Sequence, residues 1–196
     1  MEPEDKPLEL SGEELAEIVG NVSESVGGEV KEALTAFVDA VFKKGVAPKD
    51  ALGLTSAQME GIYSQAYRLF NNGKYGEAKG LFRILVALDT LEPKYTMGLA
   101  ACLHMQKEYE LAIVMYLMSA RQDPKNPIPM YHASDCFVKR EEPIGAIWAL
   151  KQVVDLCGDK EEYSIIKDRS LMTIKSLEEE AVSGTSKKEK EEPEKK

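Results

Sequence analysis

The feature that most constrains this chain is a period of 34 residues. A step of that length takes Ala66 to Ala100, Ala78 to Ala112 and then to Ala146, Tyr75 to Tyr109, and Pro93 to Pro127. Self-similarity at a fixed period means that one supersecondary unit is copied, and a unit this small must stack on its neighbours to bury its apolar face. Numbered from Met59, the first copy reads as two helices joined at Gly73-Lys74, the second turns at Lys107-Glu108, and the third at Glu141-Glu142-Pro143.

That period, with a small residue inside the first helix and an Ala in the second, is the tetratricopeptide pattern of two antiparallel helices per unit. The expected fold is all-α: three tandem tetratricopeptide helix pairs forming a short superhelix, with N-terminal helices and a C-terminal capping helix. Ala66, Ala100, Ala78, Ala112 and Ala146 fall where helices cross closely, and a larger side chain would hold the axes apart. Bulky residues fill the space around them: Leu69, Tyr75 and Phe82, then Leu103, Tyr109 and Tyr116, then Phe137, Leu150 and Val153. The third copy departs most, with Ser134 in the small place, as a terminal repeat often does. Pro93 and Pro127 stand where a helix can open without the missing N–H.

Composition narrows the function classes. The formal charge is −9, and residues 1–32 hold ten acids against Lys6 and Lys31, so the rest is close to neutral. No basic stripe suits a phosphate backbone, which argues against a nucleic-acid partner. Cys102, Cys136 and Cys157 form no CxxC, so neither a disulfide framework nor a metal site is indicated. Cys102 and Cys136 are 34 residues apart and read as packing. No signal peptide opens the chain and no apolar run approaches a membrane span, so a cytoplasmic protein without membrane insertion is expected. His104 and His132 have no partner motif, and neither a Gly-rich phosphate loop nor a nucleophile elbow occurs, so no enzyme activity and no cofactor are expected.

In chain order, residues 1–28 read as an acidic, largely mobile end with a short helix capped by Ser11 and Glu14. Residues 29–58 hold an amphipathic helix and linker, with Val30, Leu34, Phe37, Val38, Val41 and Phe42 at three-and-four spacing. Two partners suit that stripe, the first repeat or a second copy of the chain. Thr55 caps the next helix with Gln58 three places on. The repeats occupy 59–158, and a capping helix at 159–182 offers Tyr163, Ile166, Leu171, Ile174 and Leu177. Residues 183–196 contain only Gly, Ser, Thr, Lys, Glu and Pro, and read as a disordered tail.

In a stack of helix pairs the first helices line the concave side, and groove-facing places recur along each one. Those places hold Glu60, Tyr63, Tyr67, Phe70 and Asn71 in the first copy, and Lys94, Met97, Ala101, His104 and Met105 in the second. The third supplies Ile128, Tyr131, Asp135, Val138 and Lys139. Tyr63, Tyr67 and Phe70 share one helix face and are not needed for the inter-helix core, which Ile62, Ala66 and Leu69 face, so they mark an interaction surface. Methionines such as Met97 and Met105 would give adaptable contact there.

The run Ile62 to Phe70 with Gly73-Lys74-Tyr75-Gly76-Glu77-Ala78, followed by Met97-Gly98-Leu99-Ala100-Ala101-Cys102, Tyr109-Glu110-Leu111-Ala112-Ile113 and His132-Ala133-Ser134-Asp135-Cys136, resembles the class II chaperones of bacterial type III secretion. The resemblance spans roughly residues 29–158. It implies a cytoplasmic, non-enzymatic chaperone that holds an extended N-terminal segment of a hydrophobic translocator in its concave groove and keeps that client unassembled. It also implies a homodimer through the N-terminal helices, and peptide binding by Tyr63, Tyr67, Phe70, Met97, Ala101, His104, Met105 and Tyr131. A regulatory or scaffold adaptor, for example a partner of a transcription activator, is the alternative. A clamp for the C-terminal carboxylate of a heat-shock protein is disfavoured, because Tyr63, Tyr67, Gly98, Ile128 and His132 stand where it needs Lys, Asn and basic residues.

Overall fold

A computed structural model describes residues 28–188. Every regular element among them is helical, and no helix is long and apolar enough to cross a membrane. The described residues form two compact units, 28–60 with 87–89, and 61–86 with 90–188. The short helix expected at Ser11 to Glu14 lies outside the described residues.

In the first unit, α1 (Gly28–Val38) passes into a π-helical turn over Asp39–Lys43, where the Lys44 N–H donates to the Asp39 carbonyl at 3.1 Å. The apolar spacing alone predicts a single α-helix for this stretch. The wider turn admits an extra residue and rotates the chain beyond it, so that Val38 is buried while Phe42 is 56% exposed. Gly45, at φ +69°, ends the turn in a conformation that favours glycine. The short α2 (Pro48–Ala51) comes next, with Pro48 at its first position. Lys49 holds it to Asp89 through an ion pair of 2.6 Å. The capping box forms as expected: the Thr55 N–H donates to Gln58 Oε1 at 2.8 Å and the Gln58 N–H to Thr55 Oγ1 at 3.3 Å. It starts α3 (Ser56–Asn71), whose body lies in the second unit.

Three helix pairs express the period: α3 with α4 (Tyr75–Leu88), α5 (Pro93–Met105) with α6 (Tyr109–Gln122), and α7 (Ile128–Lys139) with α8 (Pro143–Cys157). Each pair is closed by the same turn. Gly73, Lys107 and Glu141 sit at φ +75°, +64° and +59°, and the next N–H reaches back to the Leu69, Leu103 and Phe137 carbonyls at 3.0, 2.9 and 3.0 Å. This closure satisfies carbonyls that the helix end would otherwise orphan.

The alanines of the pattern, Ala66, Ala78, Ala100, Ala112 and Ala146, are all fully buried. One place in the second helix of each pair carries the bulk, with Phe82, Tyr116 and Leu150 each at most 2% exposed. Ser134 fits the small place of the third pair by donating its hydroxyl proton to the Tyr131 carbonyl at 2.7 Å.

A 3₁₀ turn over Glu161–Tyr163 leads to α9 (Ser164–Lys188). Tyr163 and Ile166 pack on a cluster of Met130, Ala149, Val153 and Cys157, and Ser170 and Ile174 are buried further along. Leu171, expected on that stripe, is exposed, because Ile166, Ser170 and Ile174 recur every four residues and Leu171 falls one place, about 100°, to the side. The helix continues to Lys188, past the end expected at 182. The first proline after Pro143 is Pro193, so no ring blocks the next hydrogen bond in between.

Candidate functional site

Three helices of the second unit build an apolar pocket. Its lining is Tyr63, Tyr67 and Phe70 from α3, Phe82 from α4, and Lys94, Met97, Gly98 and Ala101 from α5, around a cavity of about 170 Å³. That is below the ~300–1,000 Å³ usual for small-molecule sites and suits one side chain of a bound peptide. The rings lock each other: Tyr63 stacks on Tyr67 with centroids 6.2 Å apart, meets Phe82 edge-on at 6.0 Å and tilts against Tyr95 at 5.9 Å. Phe70 meets Tyr75 edge-on at 5.3 Å. The Lys94 ammonium sits 4.8 Å from the Tyr63 ring centre, a cation–π contact that lays its aliphatic stem along the wall.

A second group lies one repeat on, and it is polar. His104 Nε2 is 3.0 Å from Asp135 Oδ2, and His104 Nδ1 is 3.4 Å from the Tyr116 hydroxyl. The bridge therefore joins the first helices of two consecutive pairs, α5 and α7. Burial raises the Tyr116 pKa, and the nearby Cys136, Asp135 and Cys102 add to the rise, so this phenol keeps its proton. His132 stacks on Tyr116 with centroids 5.5 Å apart. Burial lowers its pKa, His104 lowers it further and Asp135 opposes, which leaves the ring neutral near pH 7. A second cavity of about 300 Å³ opens beside this group, lined by Tyr131, His132, Ser134, Asp135, Val138, Leu150 and Thr173.

Of the eight residues expected in the groove, Tyr63, Tyr67, Phe70, Met97 and Ala101 meet in the first pocket and Tyr131 lines the second cavity. His104 lines neither and reaches Asp135 of the second cavity. Met105 is 49% exposed and lines neither. Expecting Tyr63 and Phe70 to stand clear of the core needs correction: both are half-buried, and only Tyr67, at 53% exposed, presents its ring to solvent. The reason is Phe82, which reaches through to the pocket and carries Tyr63 on its edge. Sequence reasoning places Phe82 as core filling, and its repeat partners Tyr116 and Leu150 give no signal otherwise. Gly98 is likewise missed, although a glycine opposite a large ring is the residue that lets the ring in.

Comparison with known proteins places this geometry. The tetratricopeptide repeat family matches residues 59–90 and 93–121. The low calcium response locus protein H of Yersinia pestis is 30% identical over 124 residues, covering 63% of this chain and 74% of the relative. The chaperone protein SicA of Salmonella typhimurium is 28% identical over 153 residues, covering 78% of this chain and 90% of the relative. Among solved structures, the Yersinia enterocolitica type III secretion chaperone SycD in complex with a peptide of the translocator YopD superposes with a TM-score of 0.63 at 28% identity, covering 65% of this chain and 97% of SycD. SycD is also known as an alternative dimer.

Proposed function

This chain belongs to the tetratricopeptide-repeat chaperones of type III secretion, the family of SicA and the low calcium response locus protein H, and from that premise we propose that it binds the extended N-terminal segment of a hydrophobic translocator in the groove floored by α3, α5 and α7. One observation carries the reading. A pocket sized for a single side chain, walled by Tyr63, Tyr67, Phe70 and Met97, opens on a surface where Tyr67 is exposed. An extended segment can place one apolar side chain there while the rest of the client stays unordered. SycD, similar in fold, binds a translocator peptide.

A client with membrane-inserting segments aggregates in water, and covering one of its assembly segments opposes that. The work is therefore binding and not catalysis, and it belongs in the cytoplasm, before export. The first unit, with Phe42 exposed on the π-turn, is our candidate for self-association, and the dimer of SycD supports it.

The test is co-expression with a candidate hydrophobic translocator from the same organism. A client that becomes soluble, co-purifies and is displaced by its own N-terminal peptide is the expected result. A client that stays insoluble beside the folded, helical protein would overturn the reading.

A further inference from the structure

Within that groove reading, on which this step rests, we propose that the second cavity receives a lysine or arginine side chain of the client, set about three to four residues from the apolar side chain held by the first pocket. The argument is one of hydrogen-bond inventory. Ser134 donates its hydroxyl proton to the Tyr131 carbonyl at 2.7 Å and Thr173 donates its own to the Arg169 carbonyl at 2.9 Å. A hydroxyl has one proton, so both oxygens turn only lone pairs towards anything else. Asp135 adds a full negative charge. Its Oδ2 takes His104, yet a carboxylate offers about four acceptor sites, and half of this side chain faces solvent.

Apart from that His104 contact, no cationic side chain stands against this carboxylate in the lining. No Lys or Arg is among the lining residues, and burial holds His132 neutral. Val138 and Leu150 supply an apolar wall. A cavity with an aliphatic side, two aromatic rings in Tyr131 and His132, one carboxylate and two acceptor-only hydroxyls matches a long apolar stem with a donor-rich cationic head. An apolar client residue would leave the Asp135 carboxylate facing it without a cation, and an acidic one would meet like charge.

The repeat sets the spacing. Ala101 lines the first pocket, Asp135 the second, and they stand 34 residues apart at one register place. α5 and α7 touch through the His104–Asp135 bridge, and with axes somewhat beyond the roughly 8–10 Å of closely packed helices an extended chain covers the step in about three to four residues.

The probe is the tightest binder among short overlapping peptides from the N-terminal region of the co-purifying translocator, titrated against the full chain. Replacing its Lys or Arg with Met should weaken binding by about fivefold, the scale of a partly exposed charge pair. Asp135→Asn should weaken the native peptide by the same factor and leave the Met peptide unchanged, while the amide oxygen still accepts from His104. Asp135→Lys should prefer a peptide carrying Glu at that position. Tyr67→Ala should weaken native and Met peptides alike. Equal losses of both peptides in Asp135→Asn, or a tightest peptide without a cation at that spacing, would overturn the cationic site while leaving the groove standing. Failure of every peptide to bind, or indifference to Tyr67→Ala, would remove the groove and this inference with it.

Discussion

Gly98 lies so close beneath Phe82 that a Cβ built on it would fall 2.2 Å from the ring's Cε1. The ring has little room to retreat, because Phe82 is only 2% exposed and Tyr63 rests on its edge. The pocket thus exists because one residue of α5 has no side chain. Gly98→Ala should cost about 1–3 kcal/mol, as overpacking does, and should also displace Tyr63 and weaken peptide binding. Urea unfolding and peptide titration on the same variant check both halves. An unchanged urea midpoint would show that Phe82 has room the geometry denies it.

The three pocket rings should separate by what they support. Tyr67→Ala removes an exposed ring, so stability should move by no more than about 0.5 kcal/mol while peptide affinity drops at least about tenfold, the effect of truncating an aromatic anchor. Tyr63→Ala removes contacts with Phe82, Tyr67 and Tyr95 and should lose about 1–3 kcal/mol of stability as well. Circular dichroism at the urea midpoint distinguishes the two. Equal loss of stability in both variants would contradict the difference in burial.

The three turns give a prediction independent of the groove. Lys107 and Glu141 adopt the left-handed conformation that Gly73 adopts without strain. A side chain there costs about 1–2 kcal/mol, partly offset because glycine loses more freedom on folding. Lys107→Gly and Glu141→Gly should each stabilise by about 0.5–1 kcal/mol, and together by slightly more or less than the sum, because Arg140 beside Glu141 pairs with Glu110 of the neighbouring turn at 3.4 Å. Gly73→Ala should do the reverse. Destabilisation by either glycine would mean that Lys107 or Glu141 holds a contact worth more than the strain.

The repeat made much of this legible in advance. A period is a statement about which residues must be small, and Ala66, Ala78, Ala100, Ala112 and Ala146 are buried for that reason. The period also brings residues of two first helices to one place, since Tyr63, Tyr67, Phe70, Met97 and Ala101 line one pocket. Depth was not. Whether Tyr63 points out or leans on Phe82 depends on a ring in another helix and on the missing side chain of Gly98, and a period assigns neither. The bridge from His104 to Asp135 is hidden for a similar reason: the period puts both in groove positions, and nothing in the spacing says that two such places in consecutive repeats will touch. The π-turn over Asp39–Lys43 leaves no mark on an apolar stripe that a plain helix would not.

Cys102 and Cys136 should be silent. Burial pushes their thiols up to about 11 and about 12, with Lys79 lowering the first slightly and Asp135 raising the second further. The thiolate is the nucleophile, so at neutral pH neither should react with iodoacetamide in the folded protein. Alkylation counted by mass spectrometry should be negligible at both without urea and complete with it. Labelling of Cys102 or Cys136 in the native state, at the rate of a free thiol, would mean that the pairs open far more readily than their packing implies.

His132 makes stability depend on pH, with a definite sign. Its pKa is lowered by burial and then by His104, with Asp135 pulling the other way. In the unfolded chain the ring takes its proton near pH 6.5, and in the folded protein only at lower pH. Between those two values the unfolded state holds more protons, so stability rises with pH through that window. It is fully present above about pH 6.5 and is lost as the pH falls towards the depressed folded value. His132→Gln cannot take that proton and should flatten the curve over this window, while the intact protein unfolds at lower urea as the pH falls from about 7 to about 5, above most carboxylate titration. A midpoint in the intact protein that does not fall over this range would show that the buried ring is charged more readily than its place against Tyr116 allows.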